Sequence, residues 1–157
     1  MEIKDIIIGV GLGPIKFGIT RDELIEIIGE PDEIDEFSYS ETEEDMTESW
    51  HYDELEMSVS FDEEQDWRLS NIAVSSEDYE FKGEFLIGMG REELLAKLSE
   101  MNLGELEIVD YSNEENPDHK LISFDDYGIN FWLENGELDE IQWSPLINDD
   151  DTINWPK

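Results

Sequence analysis

Two histidines, His51 and His119, are the only imidazoles in the chain. They are the first place to look for acid–base chemistry near neutral pH. Neither stands in a serine motif or beside a convincing ligand set. Alternation places His51 on the inward side of a strand and His119 in a polar loop, so structural roles are expected for both. Gly9-Val10-Gly11-Leu12-Gly13 follows the apolar Ile6-Ile7-Ile8 and resembles a phosphate-cradling loop in outline. The dinucleotide fingerprint wants its third glycine one residue later, where Pro14 stands, and a helix opening there. Here a short strand is expected before a helix that begins at Arg21, so a plain glycine turn is the better reading. The 44 Asp and Glu are too many to nominate a catalytic pair. Ser40–Ser49 and Asp149-Asp150-Asp151 lack the spacing of a calcium loop and read as solvated charge runs. The chain has no cysteine, which excludes disulfides, thiolate catalysis and Cys-ligated zinc or iron–sulfur centres. No catalytic residue, metal site or cofactor is therefore expected.

The charge itself is the strongest compositional fact. The 44 acids face only 9 Lys and Arg, a formal net charge of −35. Spread over the surface that a folded chain of this mass exposes, that charge is about half as dense as on B-DNA. Mimicry of DNA would require the carboxylates to gather on one face. Direct nucleic-acid binding is not expected, since no basic patch is visible. Salt adaptation is disfavoured because Glu outnumbers Asp and large aliphatics are plentiful (Ile25, Ile27 and Ile28, for example). With 38% hydrophobic residues, a core is still affordable and a folded chain is expected. The opening Met1-Glu2-Ile3-Lys4-Asp5 has no cationic leader, and no apolar stretch is long enough to span a bilayer. A cytoplasmic protein with no membrane contact is the expectation.

The elements follow from an internal repeat. Gly13-Pro14-Ile15-Lys16-Phe17-Gly18-Ile19-Thr20-Arg21-Asp22-Glu23-Leu24 aligns at constant offset with Gly83-Glu84-Phe85-Leu86-Ile87-Gly88-Met89-Gly90-Arg91-Glu92-Glu93-Leu94. Each copy reads as a short strand, a glycine turn and a helix start. Thr20 caps the first helix, with Glu23 completing a capping box; Gly90 takes the cap position in the second. Leu24, Ile27 and Ile28 recur at helical spacing, as do Leu94, Leu95, Leu98 and Met101. Gly29-Glu30-Pro31 ends the first helix. Strands are expected at Ile34–Tyr39, Trp50–Phe61 and Trp67–Val74, then at Leu106–Tyr111, Leu121–Leu133 and Leu138–Trp143. Asn135-Gly136 is a hairpin turn, replaced in the first copy by the acidic loop Asp62–Asp66. The predicted fold class is thus α+β: two tandem units, each a helix packed on an antiparallel β-meander, sharing one sheet. Unit one spans 1–76, unit two 77–147 and a polar tail 148–157, with the boundary near Ser75–Glu80. Ser40–Ser49 is expected as an acidic loop.

Alternation also assigns faces. Leu55, Met57, Val59 and Phe61 point inward, as do Ile129, Phe131 and Leu133. The same parity places Trp50, Tyr52, Glu54 and Glu56 outward in unit one, and Phe124, Asp126 and Trp132 outward in unit two. Aromatics mixed with carboxylates on an exposed sheet suit a basic protein: rings supply hot spots and charge steers the encounter. These seven are the candidate partner-binding residues. Arg21 and Arg91, two of few cations, occupy the same place in each copy; each is expected to reach a neighbouring carboxylate of the fold.

Phe17-Gly18-Ile19-Thr20-Arg21-Asp22-Glu23-Leu24 followed by Gly29-Glu30-Pro31 resembles the G-M-T-x-x-x-V … L-G-x-P signature of the SmpA/OmlA lipoproteins and the β-lactamase inhibitor protein family. The resemblance implies a helix packed on an antiparallel sheet, duplicated in tandem, with an open, aromatic-rich sheet face that binds a protein target. Small acidic proteins of this tandem architecture also resemble bacterial immunity proteins, which neutralise toxins. The expected function is a non-enzymatic, protein-binding inhibitor of a basic, nuclease-like toxin. The alternative is a DNA mimic that sequesters a DNA-binding protein.

Overall fold

The computed structural model describes residues 5–38, 46–101, 105–115, 119–124, 127–148, 150 and 152–156. In chain order the elements are β1 (Asp5–Ile7), β2 (Gly11–Leu12), β3 (Ile15–Lys16), α1 (Arg21–Ile28), β4 (Glu33–Ser38), β5 (Met46–Tyr52), β6 (Met57–Asp62) and β7 (Arg68–Val74). Then come β8 (Glu80–Phe81), β9 (Glu84–Phe85), α2 (Arg91–Glu100), β10 (Glu107–Asp110), β11 (His119–Phe124), β12 (Ile129–Glu134), β13 (Glu137–Trp143), β14 (Leu146–Ile147) and β15 (Ile153–Asn154). The chain is a mixed α+β protein. Its main element is an eight-stranded sheet in the order β10-β11-β12-β13-β7-β6-β5-β4. All seven neighbouring pairs in it are antiparallel. A smaller sheet runs β3-β2-β1-β8-β9, with β1 and β8 parallel, and β14 pairs with β15 separately.

The helices start where their caps dictate. The Thr20 hydroxyl accepts from the Glu23 N–H at 3.2 Å, and Glu23 Oε1 accepts from the Thr20 N–H at 3.0 Å. This satisfies two donors that a helix start leaves open. Gly29 closes α1 with φ of 87°, and Pro31 follows. Gly90 caps α2 through its backbone alone. The loop before each helix is tied to the large sheet by a matching pair of bonds. Gly18 N–H donates to Leu69 O and Leu69 N–H to Ile19 O, both at 2.9 Å. Gly88 N–H donates to Leu138 O at 2.8 Å and Leu138 N–H to Met89 O at 2.9 Å. A register shift lies close to each tie, between Ser60 and Phe61 and between Trp132 and Leu133. The bulge brings Leu69 and Ile72, and likewise Leu138 and Ile141, into the core at a spacing of three.

That core lies on one face of the large sheet. Phe61, Ile72, Phe131, Ile141 and Trp143 are packed with Leu24, Leu94 and Leu98 of the helices and with Leu12, Ile15 and Phe81 of the small sheet. The Trp143 indole N–H donates to Gly11 O at 3.2 Å and so joins the two sheets. Gly11 cannot be another residue: a Cβ there would sit 2.0 Å from the carbonyl oxygen of Ile15.

Three expectations need correction. Trp50–Phe61 and Leu121–Leu133 are not single strands; each takes in parts of two antiparallel strands that pair with each other, β5–β6 and β11–β12. The expected loop Ser40–Ser49 is strand from Met46 onward, paired with β4, while residues 39–45 lie outside the described set. The tail does not trail from Asn148. Ile153–Asn154 pairs back onto Leu146–Ile147, and Trp155 lies against Gly18 and under the guanidinium of Arg68 at 5.4 Å. Its apolar residues, Ile153 and Trp155, found surface to cover.

Net charge of this size repels itself in the compact state. Screening weakens the repulsion, since the Debye length falls from about 30 Å at 0.01 M salt to about 8 Å at 0.15 M. The melting temperature at neutral pH is therefore expected to rise across that range. A flat curve in differential scanning calorimetry would show that the charges are compensated locally.

Candidate functional site

Helices and small sheet cover one face of the large sheet. The other face is built largely from small and polar side chains, with aromatic rings gathered at one end. Directly opposed residues share a face, so one row can be followed across six strands: His51, Ser58, Ala73, Gln142, Asn130 and Ser123. Hydrogen bonds knit this surface. Ser123 Oγ donates to Asn130 Oδ1 at 2.8 Å, Gln142 Nε2 to Asn71 Oδ1 at 3.3 Å, and the Trp132 indole N–H to Gln142 Oε1 at 3.2 Å.

The two ends of the face differ. At the β4–β5–β6 end is a cleft of about 520 Å³, whose lining includes Glu33, Asp35, Asp53, Glu56 and, from β13, Glu140. Among the described residues, no Lys or Arg lines it. On its floor His51 Nε2 is 2.9 Å from Asp35 Oδ2, and Nδ1 is 2.8 Å from Ser58 Oγ. A Ser–His–Asp chain invites comparison with an acyl-transfer relay. Such a relay also needs N–H donors aimed at an oxyanion. Ser58 sits on β6, an inner strand whose backbone groups are engaged by β5 and β7, so the strand offers no such donors. The arrangement fits a rigid polar clamp instead. Glu140 is more than half-buried, and its carboxyl is raised above the usual range by burial first and by Asp139 second.

At the other end is an aromatic cluster. His119 stacks on Trp132 with centroids 5.3 Å apart and planes at 22°, and Tyr111 lies 5.6 Å from Trp132. The Nδ1 of His119 is buried there without a hydrogen-bond partner among the described residues.

Of the seven expected contact residues, only some reach this face. Trp132 does, half-buried. Glu54 and Glu56 are exposed, but in the β5–β6 turn rather than on a strand. Asp126 lies outside the described residues. Trp50, Tyr52 and Phe124 are core residues, 4%, 5% and 2% exposed. The reason is register. Trp50 opposes Val59, Tyr52 opposes Met57 and Phe124 opposes Ile129, so an even-numbered residue shares its face with an odd-numbered one across each turn. Parity carried through the turn inverts the assignment. The same inversion moves His51 from the expected inner face to the open face, and His119 belongs to β11 rather than a loop. The sequence reading missed Asp35, Ser58, Tyr111 and Glu140; the pairing sum across each hairpin was the signal that finds them.

On the buried side, Glu48 faces the core opposite Phe61. Its Oε1 accepts from the Trp50 indole at 2.6 Å, and its Oε2 pairs with Arg21 at 2.9 Å. The Arg21 guanidinium also lies 4.6 Å over the Trp67 ring. The Tyr52 hydroxyl donates to Gly29 O at 2.9 Å, and burial with nearby Asp32 pushes its pKa up to about 12. Among the described residues, Arg91 forms no ion pair. It adds a weak pull, after Lys120, on exposed Asp110, whose carboxyl is held below the usual range mainly by the Ser112 hydroxyl and N–H.

Among the described residues, no group of three or more His, Asp and Glu is disposed to hold a metal ion, and no helix is long and apolar enough to cross a membrane. Comparison with protein-family models, with curated proteins and with solved structures finds no match to this chain.

Proposed function

We propose that this chain is a non-catalytic, acidic protein-binding module of the immunity type, which uses the open face of its large sheet to neutralise a basic, nuclease-like partner. One observation carries the reading: among the described residues no helix or strand packs on this face of the sheet, and it combines an aromatic cluster with a cleft lined by five carboxylates and no Lys or Arg. Rings of this kind anchor interfaces, and carboxylates steer a basic partner toward them. Carboxylates also occupy the helices (Asp22, Glu23, Glu92, Glu93) and the turns, a spread that favours steering over imitation of a phosphate backbone. A cytoplasmic setting belongs to the same proposal.

The reading includes a tandem duplication of a helix-plus-meander unit, with β4–β7 and β10–β13 as the two halves of one sheet. It is supported by the matching helix ties at Leu69 and Leu138, by the bulge near each, and by the strand order about the β7–β13 joint. On this alignment Lys120 stands where unit one has Glu48, since these oppose Leu133 and Phe61. The place of Glu48, which pairs with Arg21, is thus taken by a cation in unit two. The copies have diverged, one end of the open face becoming acidic and the other aromatic.

The test is chemical cross-linking in the native host, followed by titration of the captured protein. A basic partner cross-linked through the β5–β6 turn and β10–β13 supports the reading, with nuclease activity lost at one equivalent. Cross-links confined to α1 and α2, or a partner whose activity is unchanged at saturation, would overturn it.

A further inference from the structure

We propose that Glu140, with Trp132 beside it, is the receptor for an arginine side chain of the basic partner. This rests on the docking reading above and places its central contact. Glu140 and Trp132 are directly opposed in the β12–β13 pair and share the open face. Side chains so placed have Cβ atoms about 4.5–5.5 Å apart, close enough for one incoming group to touch both. Trp132 is held in place: its indole N–H is bonded to Gln142, and His119 stacks on its ring. Glu140 also lines the acidic cleft, so among the described residues it is the carboxylate that joins the cleft to the aromatic cluster.

Glu140 has no compensating cation among the described residues: no ion pair there involves it. Its charge is opposed by burial and by Asp139. A half-buried carboxylate without a cation is costly, and a partner that brings one recovers that cost. Arginine fits better than lysine. Its planar fork meets a carboxylate with two parallel bonds while its flat face lies against an indole, whereas an ammonium group offers only a compact, strongly hydrated charge.

The probes are hexa-arginine and hexa-lysine peptides, titrated calorimetrically into the full chain at low salt. Expected is tighter binding of hexa-arginine by the parent. Glu140→Gln should weaken hexa-arginine about tenfold and remove most of its advantage over hexa-lysine, and Trp132→Ala should do the same. Near-UV circular dichroism checks that both variants keep the native fold. Glu26→Gln with Glu92→Gln, on the helices, should leave binding unchanged. If Glu140→Gln binds as the parent does while Glu33→Gln with Asp35→Asn loses affinity, the open face docks cations but Glu140 is not their receptor, and this inference falls alone. If only the helix variants lose affinity, the docking reading falls with it. Equal small losses in every variant would mean diffuse attraction and would also overturn the inference.

Discussion

Trp143→Ala should lower the unfolding free energy by about 3–5 kcal/mol, the range for emptying a large aromatic site in a core. Small domains have a margin of about 5–15 kcal/mol in total, so the variant is expected to melt far below the parent or to be only partly folded. Trp143 has the largest of the fully buried side chains, at 1% exposure. It opposes Ile129 on one side and Ile72 on the other, at the joint where β13 meets β7. Its indole N–H reaches across to Gly11 O in the small sheet. Removing it opens a cavity where three parts of the chain converge. Trp143→Phe keeps most of the ring and drops the N–H, so its midpoint should lie between the other two. Urea titrations give all three values. A midpoint for Trp143→Ala equal to the parent's would mean that the core does not depend on this joint.

Arg21→Ala should cost about 1–3 kcal/mol, between the loss of an exposed ion pair and the removal of one partner from a buried one. The intermediate range applies because the Arg21 side chain is 36% exposed while that of Glu48 is only 10% exposed. Without Arg21, Glu48 keeps the Trp50 indole as a donor, but its charge stands in an apolar setting opposite Phe61. Adding Glu48→Gln to Arg21→Ala should recover part of the loss, because a neutral amide still offers an oxygen to Trp50. The double-mutant cycle isolates the coupling. Arg91→Ala is the internal comparison and should stay within about 0.5 kcal/mol, as surface substitutions do. Equal effects at the two arginines would contradict the asymmetry between Glu48 and Lys120.

Much of the framework was legible from local chemistry. Thr20 and Glu23 announce a capping box, Gly29 and Pro31 a stop, and Asn135-Gly136 a turn; each acts over a few residues and needs no partner strand. The spacing of Leu69 and Ile72, and of Leu138 and Ile141, even registers the bulges. What failed depends on pairing between strands. A hairpin turn at Asp53–Glu56 contains no glycine or proline, so the chain from Trp50 to Phe61 passed for one strand. One unrecognised turn then inverted every face before it, sending Trp50 and Tyr52 to the surface on paper and His51 into the core. The candidate site suffered most, since a site on a sheet face is defined by register alone. Trp132 survived because its strand was read from its own side of the turn. Glu140 was passed over because nothing in a run of acids marks the one that is half-buried.

The order of strands in the large sheet also bears on synthesis. As the chain leaves the ribosome, β4 to β7 can pair in succession, each with the strand just made. Beyond the tie at Leu69, the outer edge of β7 then has no strand neighbour, because β13 is made only after β8, β9, α2 and β10 to β12. Until then the part of that edge that β13 will pair, Ile72 to Val74, is open to any other nascent strand. The Trp143–Gly11 bond spans 132 residues of sequence, so closure of the two sheets waits for nearly the whole polypeptide. Through that interval the repulsion between strongly acidic nascent chains keeps exposed edges apart, which gives the charge a use before any partner arrives.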